Sequence, residues 1–282
     1  MNTPSAEFAG TGFEQECRAA VEIAEEAGAL LRARFGSGIR VDSKGADGDV
    51  VTELDLLAEE LIVQRLGKLF PGDRILAEEG GVVAGGTPAG RTWLVDPLDG
   101  SNNVAIGLPA YGVGIGLCVG DEPVLGVVHD PVTGRTWRAV RRGGAFGPGG
   151  RLHGPPGPPP PAGPVLAWTQ GHGVPREDLA CRGLRERLEQ GSRRVLQLWA
   201  PLVSWAMLAR GDIDGFVGYR AEEIDLPAGY LLAVEAGLDV RRPDGVPYRG
   251  RIGERDSDRT FVAGRPELMP FLLDAVARVR GG

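Results

Sequence analysis

Trp93-Leu94-Val95-Asp96-Pro97-Leu98-Asp99-Gly100-Ser101 sets an apolar run directly against two carboxylates three residues apart. The run reads as the buried end of a strand, so the Pro/Gly turn presents both acids at the mouth of a sheet. Fixed carboxylate oxygens, a carbonyl between them and the Gly-Ser amides suit a hard divalent cation with an anion beside it. Asp-Pro and Asp-Gly are also ordinary turn chemistry, so the stretch alone leaves both readings open. The other acids of the chain decide between them.

The chain has 282 residues, enough for one large domain or two closely joined ones. Its 42% hydrophobic and 24% charged content is ordinary for a globular protein, and there is no internal repeat. A net charge of −7 argues against a sequence-independent grip on a nucleic acid polymer. No apolar stretch is long enough to cross a bilayer, and Met1 to Glu7 lacks the regions of a signal peptide. Cys17, Cys118 and Cys181 are widely spaced, which suits reduced thiols and a cytoplasmic setting. His129, His153 and His172 show no ligand spacing, so a divalent site here has to be built of carboxylates.

Apolar positions Ala20, Ile23, Ala27, Leu30 and Leu31 predict a helix over 13–35, ended by Gly36. A second helix is predicted over 53–69, with Leu54, Leu57, Leu61, Leu66 and Leu69 as its buried side. Arg74 to Ala77 reads as a short strand leading into Glu78-Glu79. Tyr111 to Val119 and Pro123 to His129 read as a hairpin about Gly120-Asp121-Glu122, and Thr136 to Val140 extends that antiparallel sheet. The Pro-rich stretch 154–164 reads as a stiff connector, with a polyproline docking segment as the alternative. Beyond it, strands are predicted at Val165–Trp168, Ile213–Val217 and Thr260–Ala263. Helices are predicted at 176–190, Leu202–Ala209, Leu226–Ala236 and 266–280. The expectation is α+β with two subdomains: 1–150 carrying most of the acids, the connector 151–164, and 165–282 contributing Asp225.

Four acidic patches stand out: Asp49 to Asp55, Glu78-Glu79, Asp96 with Asp99, and Asp225. Each has a structural explanation by itself. Thr52 with Asp55 is close to a capping box, Asp225 before a Pro-containing first turn is a good N-cap, and Glu78-Glu79 fits a solvated loop edge.

Taken together and in order, the patches resemble the inositol monophosphatase family. The matching segments are Lys44, Asp49-Val50-Val51-Thr52-Glu53-Leu54-Asp55, Glu78-Glu79, Trp93 to Asn103, and Ile224-Asp225-Leu226-Pro227-Ala228-Gly229. The resemblance runs from about residue 13 to 275 and implies a layered αβαβα sandwich of the sugar phosphatase type. It also implies a Mg²⁺-dependent phosphatase acting on a small phosphorylated substrate, with two or three ions, lithium sensitivity and a homodimer. Position by position, Glu78, Asp96 and the Leu98 carbonyl would hold the first ion, and Asp96, Asp99 and Asp225 the second. Glu78 would lean on a third. Ser101, hydrogen-bonded to Asp55, would orient and help deprotonate a water, and Lys44 and Thr52 would support the metal-bearing loop. The N–H groups of Gly100 and Ser101 would grip phosphate at the start of a short helix.

Departures from the family pattern concern the organic part of the substrate. Ser101 replaces a threonine and Ile224 a tryptophan. Trp199-Ala200-Pro201-Leu202 stands where relatives carry a Gly-Ser/Thr-Ala-Ala run, and Gly218 aligns with an acidic residue that binds inositol hydroxyls in some members. Trp199, Ala200 and Gly218 are therefore the candidate substrate pocket, with a core aromatic spaced helically from Leu196 as the other reading of Trp199. The same fold also serves 3′-phosphoadenosine phosphatases, fructose-1,6-bisphosphatases and histidinol-phosphate phosphatases, and a catalytically silent phospho-ligand binder is the alternative from another class. Gly112-x-Gly114-x-Gly116 is not a dinucleotide-binding fingerprint, and no Gly-x-Ser-x-Gly elbow is present.

Overall fold

The computed structural model describes residues 7–44, 49–87, 90–155, 157 and 161–277. Its first half runs α1 (Glu14–Arg34), β1 (Val41–Lys44), β2 (Asp49–Thr52), α2 (Glu53–Leu69), β3 (Arg74–Ala77), β4 (Gly81–Ala84) and β5 (Arg91–Asp99). Then follow α3 (Ser101–Ala105), β6 (Gly112–Val119), β7 (Glu122–Asp130), β8 (Arg135–Val140), β9 (Gly144–Gly147) and β10 (Gly150–Arg151). The second half runs β11 (Val165–Gln170), α4 (Leu179–Gly191), β12 (Arg194–Leu196), α5 (Pro201–Arg210) and β13 (Gly215–Tyr219). It closes with α6 (Leu226–Glu235), β14 (Asp239–Arg241), β15 (Phe261–Gly264) and α7 (Met269–Ala277).

Strands β3 to β10 form an eight-stranded sheet in the order β10-β9-β8-β7-β6-β5-β3-β4, and β11 to β15 a five-stranded sheet in the order β12-β11-β13-β15-β14. Three apolar cores separate the layers. The first lies between α1, α2 and the large sheet. The second fills the space between the two sheets, where α5 and α6 lie, and the third joins the small sheet to α4 and α7. The result is the α+β, αβαβα layering expected from the resemblance. No helix among the described residues is long and apolar enough to cross a membrane.

Both sheets mix parallel and antiparallel neighbours. β12, β11 and β13 run parallel in the small sheet, as do β3 and β5 in the large one. Helices α4 and α5 supply the crossovers that parallel neighbours require. The short strands β1, β2, β4, β9, β10, β12 and β14 carry too few residues for a period to show in the sequence. The C-terminal helix prediction, 266–280, resolves into a 3₁₀ turn at Pro266–Leu268 and α7; residues 278–280 of that prediction, like Pro156 and 158–160 of the connector, lie outside the described residues.

Helix α2 buries a different stripe from the one predicted. Leu54, Ala58, Ile62 and Leu66 face the core at i, i+4 spacing, whereas Leu57 and Leu61 are half-buried and Leu69 is exposed. The rotation brings Asp55 and Glu59 onto the buried side.

Gly112, Gly114, Gly116 and Gly126 have a packing role. A Cβ on Gly114 would lie 2.4 Å from Leu202 of α5, and one on Gly116 would lie 3.3 Å from Pro227 of α6. At Gly126 it would meet the Ala228 backbone at 2.6 Å. These strands are bare so that the helices carrying the late part of the site can touch the sheet. Gly126→Ala is expected to destabilise the protein by about 1–3 kcal/mol through overpacking. Gly67→Ala, in α2 with open space around it, is expected to be neutral or stabilising by up to about 1 kcal/mol. Denaturant unfolding of the two variants checks both signs; equal stability would refute the packing role.

Candidate active site

Asp96 and Asp99 are three residues apart on one strand, a spacing that regular alternation would place on opposite faces. The pairing of β5 with β6 shifts between them: Asp96 faces Gly114 and Asp99 faces Gly112, so three steps on β5 match two on β6. The bulge restores a common face for both acids. Asp225 occupies the N-cap position of α6, but its side chain makes no cap hydrogen bond. Instead it turns toward the pair, and carboxylate oxygens of Asp96, Asp99 and Asp225 lie within 4.8 Å of one another, all three residues buried. The simple N-cap reading of Asp225 is corrected on that geometry.

Burial raises the pKa of all three acids, and mutual repulsion adds to it. Asp96 is driven well above the carboxylate range by burial, then by Glu78, Asp225 and Asp99. Asp99 is likewise raised by burial and Asp225, against the N–H groups of Val203 and Leu202. Asp225 is pushed up to about 8, burial first. One oxygen of Asp99 is committed to structure, accepting the N–H of Leu202 at 2.7 Å and of Val203 at 3.3 Å at the start of α5. Asp96 accepts the Leu98 N–H at 3.1 Å.

Glu78 lies outside this tight group but lines the same cavity. Lys44, at the end of β1, donates to it at 3.0 Å and also contacts Glu79. Burial alone would lower the pKa of the Lys44 ammonium, but the two glutamates raise it on balance. Glu79 is itself pushed up to about 7 by burial. Glu59, not anticipated from sequence, accepts the N–H groups of Glu79 at 2.8 Å and Gly80 at 2.9 Å and so fixes the turn that bears Glu78.

Thr52 and Asp55 form the capping box of α2. The Thr52 N–H donates to Asp55 Oδ2 at 2.8 Å and the Thr52 hydroxyl at 2.6 Å, while Leu54 N–H donates to Thr52 Oγ1 at 3.2 Å. The other oxygen of Asp55 accepts from Ser101 Oγ at 2.5 Å. Ser101 Oγ also lies 2.9 Å from the Leu98 carbonyl. Asp55 is raised by burial, an effect opposed by its bonds to Ser101 and Thr52. Gly100, with φ 98°, makes the left-handed turn into α3. The N–H groups that open such a helix have no acceptor within it.

Glu78, Asp96, Asp99, Gly100, Ser101 and Asp225 line a cavity of about 320 Å³, with Asp55 behind Ser101. Trp199 is 55% exposed, lines it, and has φ 54°. It follows β12 and precedes α5, so the core-aromatic reading fails: Leu196 and Trp199 share no helix. Ala200 and Gly218 do not line the cavity. Ala200 is buried at the N-cap of α5, and Gly218 sits in β13 where a Cβ would strike the Phe261 ring at 2.3 Å. A carboxylate does line the cavity four residues further on: Glu222, which accepts the His172 N–H at 2.8 Å. Trp168, Gln170 and Arg176 join it there and were also missed. The signal for them is topological, since β11 and β13 are parallel and ligands gather beyond the carboxyl ends of such strands.

The model of the inositol monophosphatase family matches residues 14–278. The inositol-1-monophosphatase of Mycobacterium bovis is 34% identical, covering 93% of each chain. The fructose-1,6-bisphosphatase/inositol-1-monophosphatase of Thermotoga maritima is 31% identical over 77% of this chain and 80% of its own. Among solved structures, the Thermotoga maritima IMPase superposes with TM-score 0.80 at 27% identity, covering 95% and 98% of the two chains. An IMPase/NADP phosphatase complexed with Mg²⁺ and phosphate, 18% identical with TM-score 0.78 over 94% and 96%, shares the fold. With acids from the turn after β3, from β5 and from the N-cap of α6 gathered at one cavity and a family match over nearly the whole chain, this protein belongs to the inositol monophosphatase family.

Proposed function

We propose that the chain hydrolyses a small phosphate monoester with the help of Mg²⁺. The observation that carries the reading is the convergence of Asp96, Asp99 and Asp225, three buried carboxylates within 4.8 Å, none of which is within ion-pair distance of a lysine or arginine among the described residues. Such a set is unfavourable without a cation, and all-oxygen donors suit a hard divalent ion. Asp96, Asp99, Asp225, Glu78 and the Leu98 carbonyl would hold two or three such ions. When bound, they supply charge for the phosphoryl oxygens and for the attacking and leaving oxygens of an in-line displacement.

The chain's own groups do the rest. The N–H groups of Gly100 and Ser101 bind the phosphate oxygens. Ser101 Oγ, held by Asp55 at 2.5 Å, takes a proton from the attacking water as it passes its own to the Asp55 carboxylate. Thr52 keeps Asp55 in position for that exchange. Serine in place of threonine retains the hydroxyl this step needs. Lys44 steadies the Glu78 side of the cavity. Family membership further supports lithium inhibition and a homodimer, and three buried thiols fit a cytoplasmic protein. Inositol 1-phosphate and fructose 1,6-bisphosphate are the first substrates to assay, going by the names of the relatives.

Asp96→Asn is expected to lower phosphate release at least about a thousandfold while the protein still folds. Assay of released phosphate beside circular dichroism checks it, and retained turnover would refute the assignment.

Metal should also stabilise the fold. Saturating Mg²⁺, at about 100 times its dissociation constant, is expected to add about 2.7 kcal/mol. Asp225 is raised to about 8 in the folded protein, so the folded state holds a proton that the unfolded chain loses at lower pH. Metal-free stability therefore falls as pH rises from the ordinary carboxylate range to about 8. The Mg²⁺-dependent gain in melting temperature should be larger at pH 8 than at pH 6. A gain independent of pH would show that protons and metal do not compete here.

A further inference from the structure

Two of the carboxylates that line the cavity, Asp49 and Glu222, have no part in the proposed metal set. Both turn to one residue. Glu222 accepts the backbone N–H of His172 at 2.8 Å, and Asp49 Oδ1 lies 3.7 Å from the imidazole Nδ1. Among the described residues, neither acid has a lysine or arginine within ion-pair distance. His172 stands on a fixed turn. The N–H of Gly171 donates to the Tyr219 carbonyl at 3.1 Å, and that of Val174 to the Gly171 carbonyl at 3.1 Å. A Cβ on Gly171 would strike the Arg220 carbonyl at 2.1 Å, so the turn is pressed against the end of β13.

The Asp49 side is less secure. β1 and β2 pair only with each other, and a two-stranded ribbon is marginal by itself. Yet this hairpin carries Lys44 to Glu78 and leads through Thr52 into Asp55. From the large-sheet half it is held by Lys44 and by Asn102, whose side-chain amide donates to Asp49 at 3.3 Å. We propose that His172 is a positioning residue: reaching from the small-sheet half, its imidazolium draws in Asp49 and so holds the β1–β2 hairpin against the catalytic cavity. At 3.7 Å the contact is too long for a hydrogen bond, so charge has to supply the attraction. The hold is present when the ring is protonated and is lost when it is neutral. Besides the metal set, the charged groups around the cavity are Asp49 from β2, Glu222 from the loop after β13, and Arg176 beyond the turn of His172 itself. The first two attract an imidazolium and the third repels it. The consequence for turnover rests on the hydrolase reading above and deepens it, whereas the contact itself can be measured without turnover.

The test compares the full chain with His172→Gln, Asp49→Asn, the double variant and His172→Lys, all in Mg²⁺. Measurements at about pH 6 and about pH 8.5 lie toward the two ends of the range in which histidine changes charge. Amide hydrogen exchange of β1 and β2 reports the hairpin, and phosphate release from the best substrate of a panel of sugar and nucleoside phosphates reports the chemistry. At the lower pH, exchange in His172→Gln is expected to be about two- to fivefold faster than in the wild type, the range for a partly exposed ion pair. There kcat should fall by up to the same factor, with KM little changed. At the higher pH the two proteins should match. The double variant should exchange no faster than Asp49→Asn, and His172→Lys should keep the slow exchange at both pH values. Equal exchange or equal kcat in the wild type and His172→Gln at the lower pH, or an equal change at both, overturns the proposal. A raised KM with unchanged exchange would make His172 a substrate contact, which also overturns it. Absence of phosphate release by the wild type across the panel overturns the hydrolase reading and the link to kcat, while exchange still decides the contact.

Discussion

Three carboxylates whose oxygens lie within 4.8 Å of one another, buried where two sheets meet, are the constraint that the surrounding architecture serves. At an effective dielectric near 20, each ionised pair at that distance repels by about 3 kcal/mol. Protonation relieves the repulsion in the metal-free protein, as the raised pKa values of Asp96, Asp99 and Asp225 express. A bound cation relieves it without the proton. The fold resists the repulsion by covalent and packing means. A bulge in β5 turns Asp96 and Asp99 to one face, Asp99 anchors the first N–H groups of α5, and α6 is pressed against glycine-lined strands so that Asp225 cannot swing away.

Helix α2 serves the same centre from the other side. Its apolar contacts at Leu54, Ala58, Ile62 and Leu66 hold a face that also includes Asp55 and Glu59. Burying the helix therefore places two acids at once: Asp55 against Ser101, and Glu59 under the turn that presents Glu78. A buried carboxylate is costly unless its oxygens are bonded, and both of these are. Packing and chemistry are coupled at this helix.

The acids of the site were readable because their spacing along the chain is distinctive and their residue types are chemically demanding. Asp96, Asp99 and Ser101 announced themselves within six residues. Glu59 did not, because a glutamate inside an amphipathic helix looks like any solvated helix face. Glu222 and His172 were equally silent, since each belongs to a short loop after a strand and acquires meaning only from what lies across the cavity. Trp199 was ambiguous until its backbone was known. A tryptophan with φ 54° is strained by about 1–2 kcal/mol, and its indole projects into the cavity. Asn103 helps to fix the strained loop through the Leu198 carbonyl at 2.6 Å.

Local chemistry along the chain was enough to specify which residues bind oxygen-loving cations, where long helices begin and end, and that layers of both kinds of structure are present. Those properties follow from side-chain type, capping and hydrophobic period, each of which acts within a few residues. Folding in three dimensions settled matters of another range: the parallel neighbours in the small sheet, the rotation of α2, the bulge at Asp96 and Asp99, and the cavity that gathers Trp199 and Glu222 beside the acids. Each of these depends on contacts between residues tens to over a hundred positions apart, for which no local pattern exists.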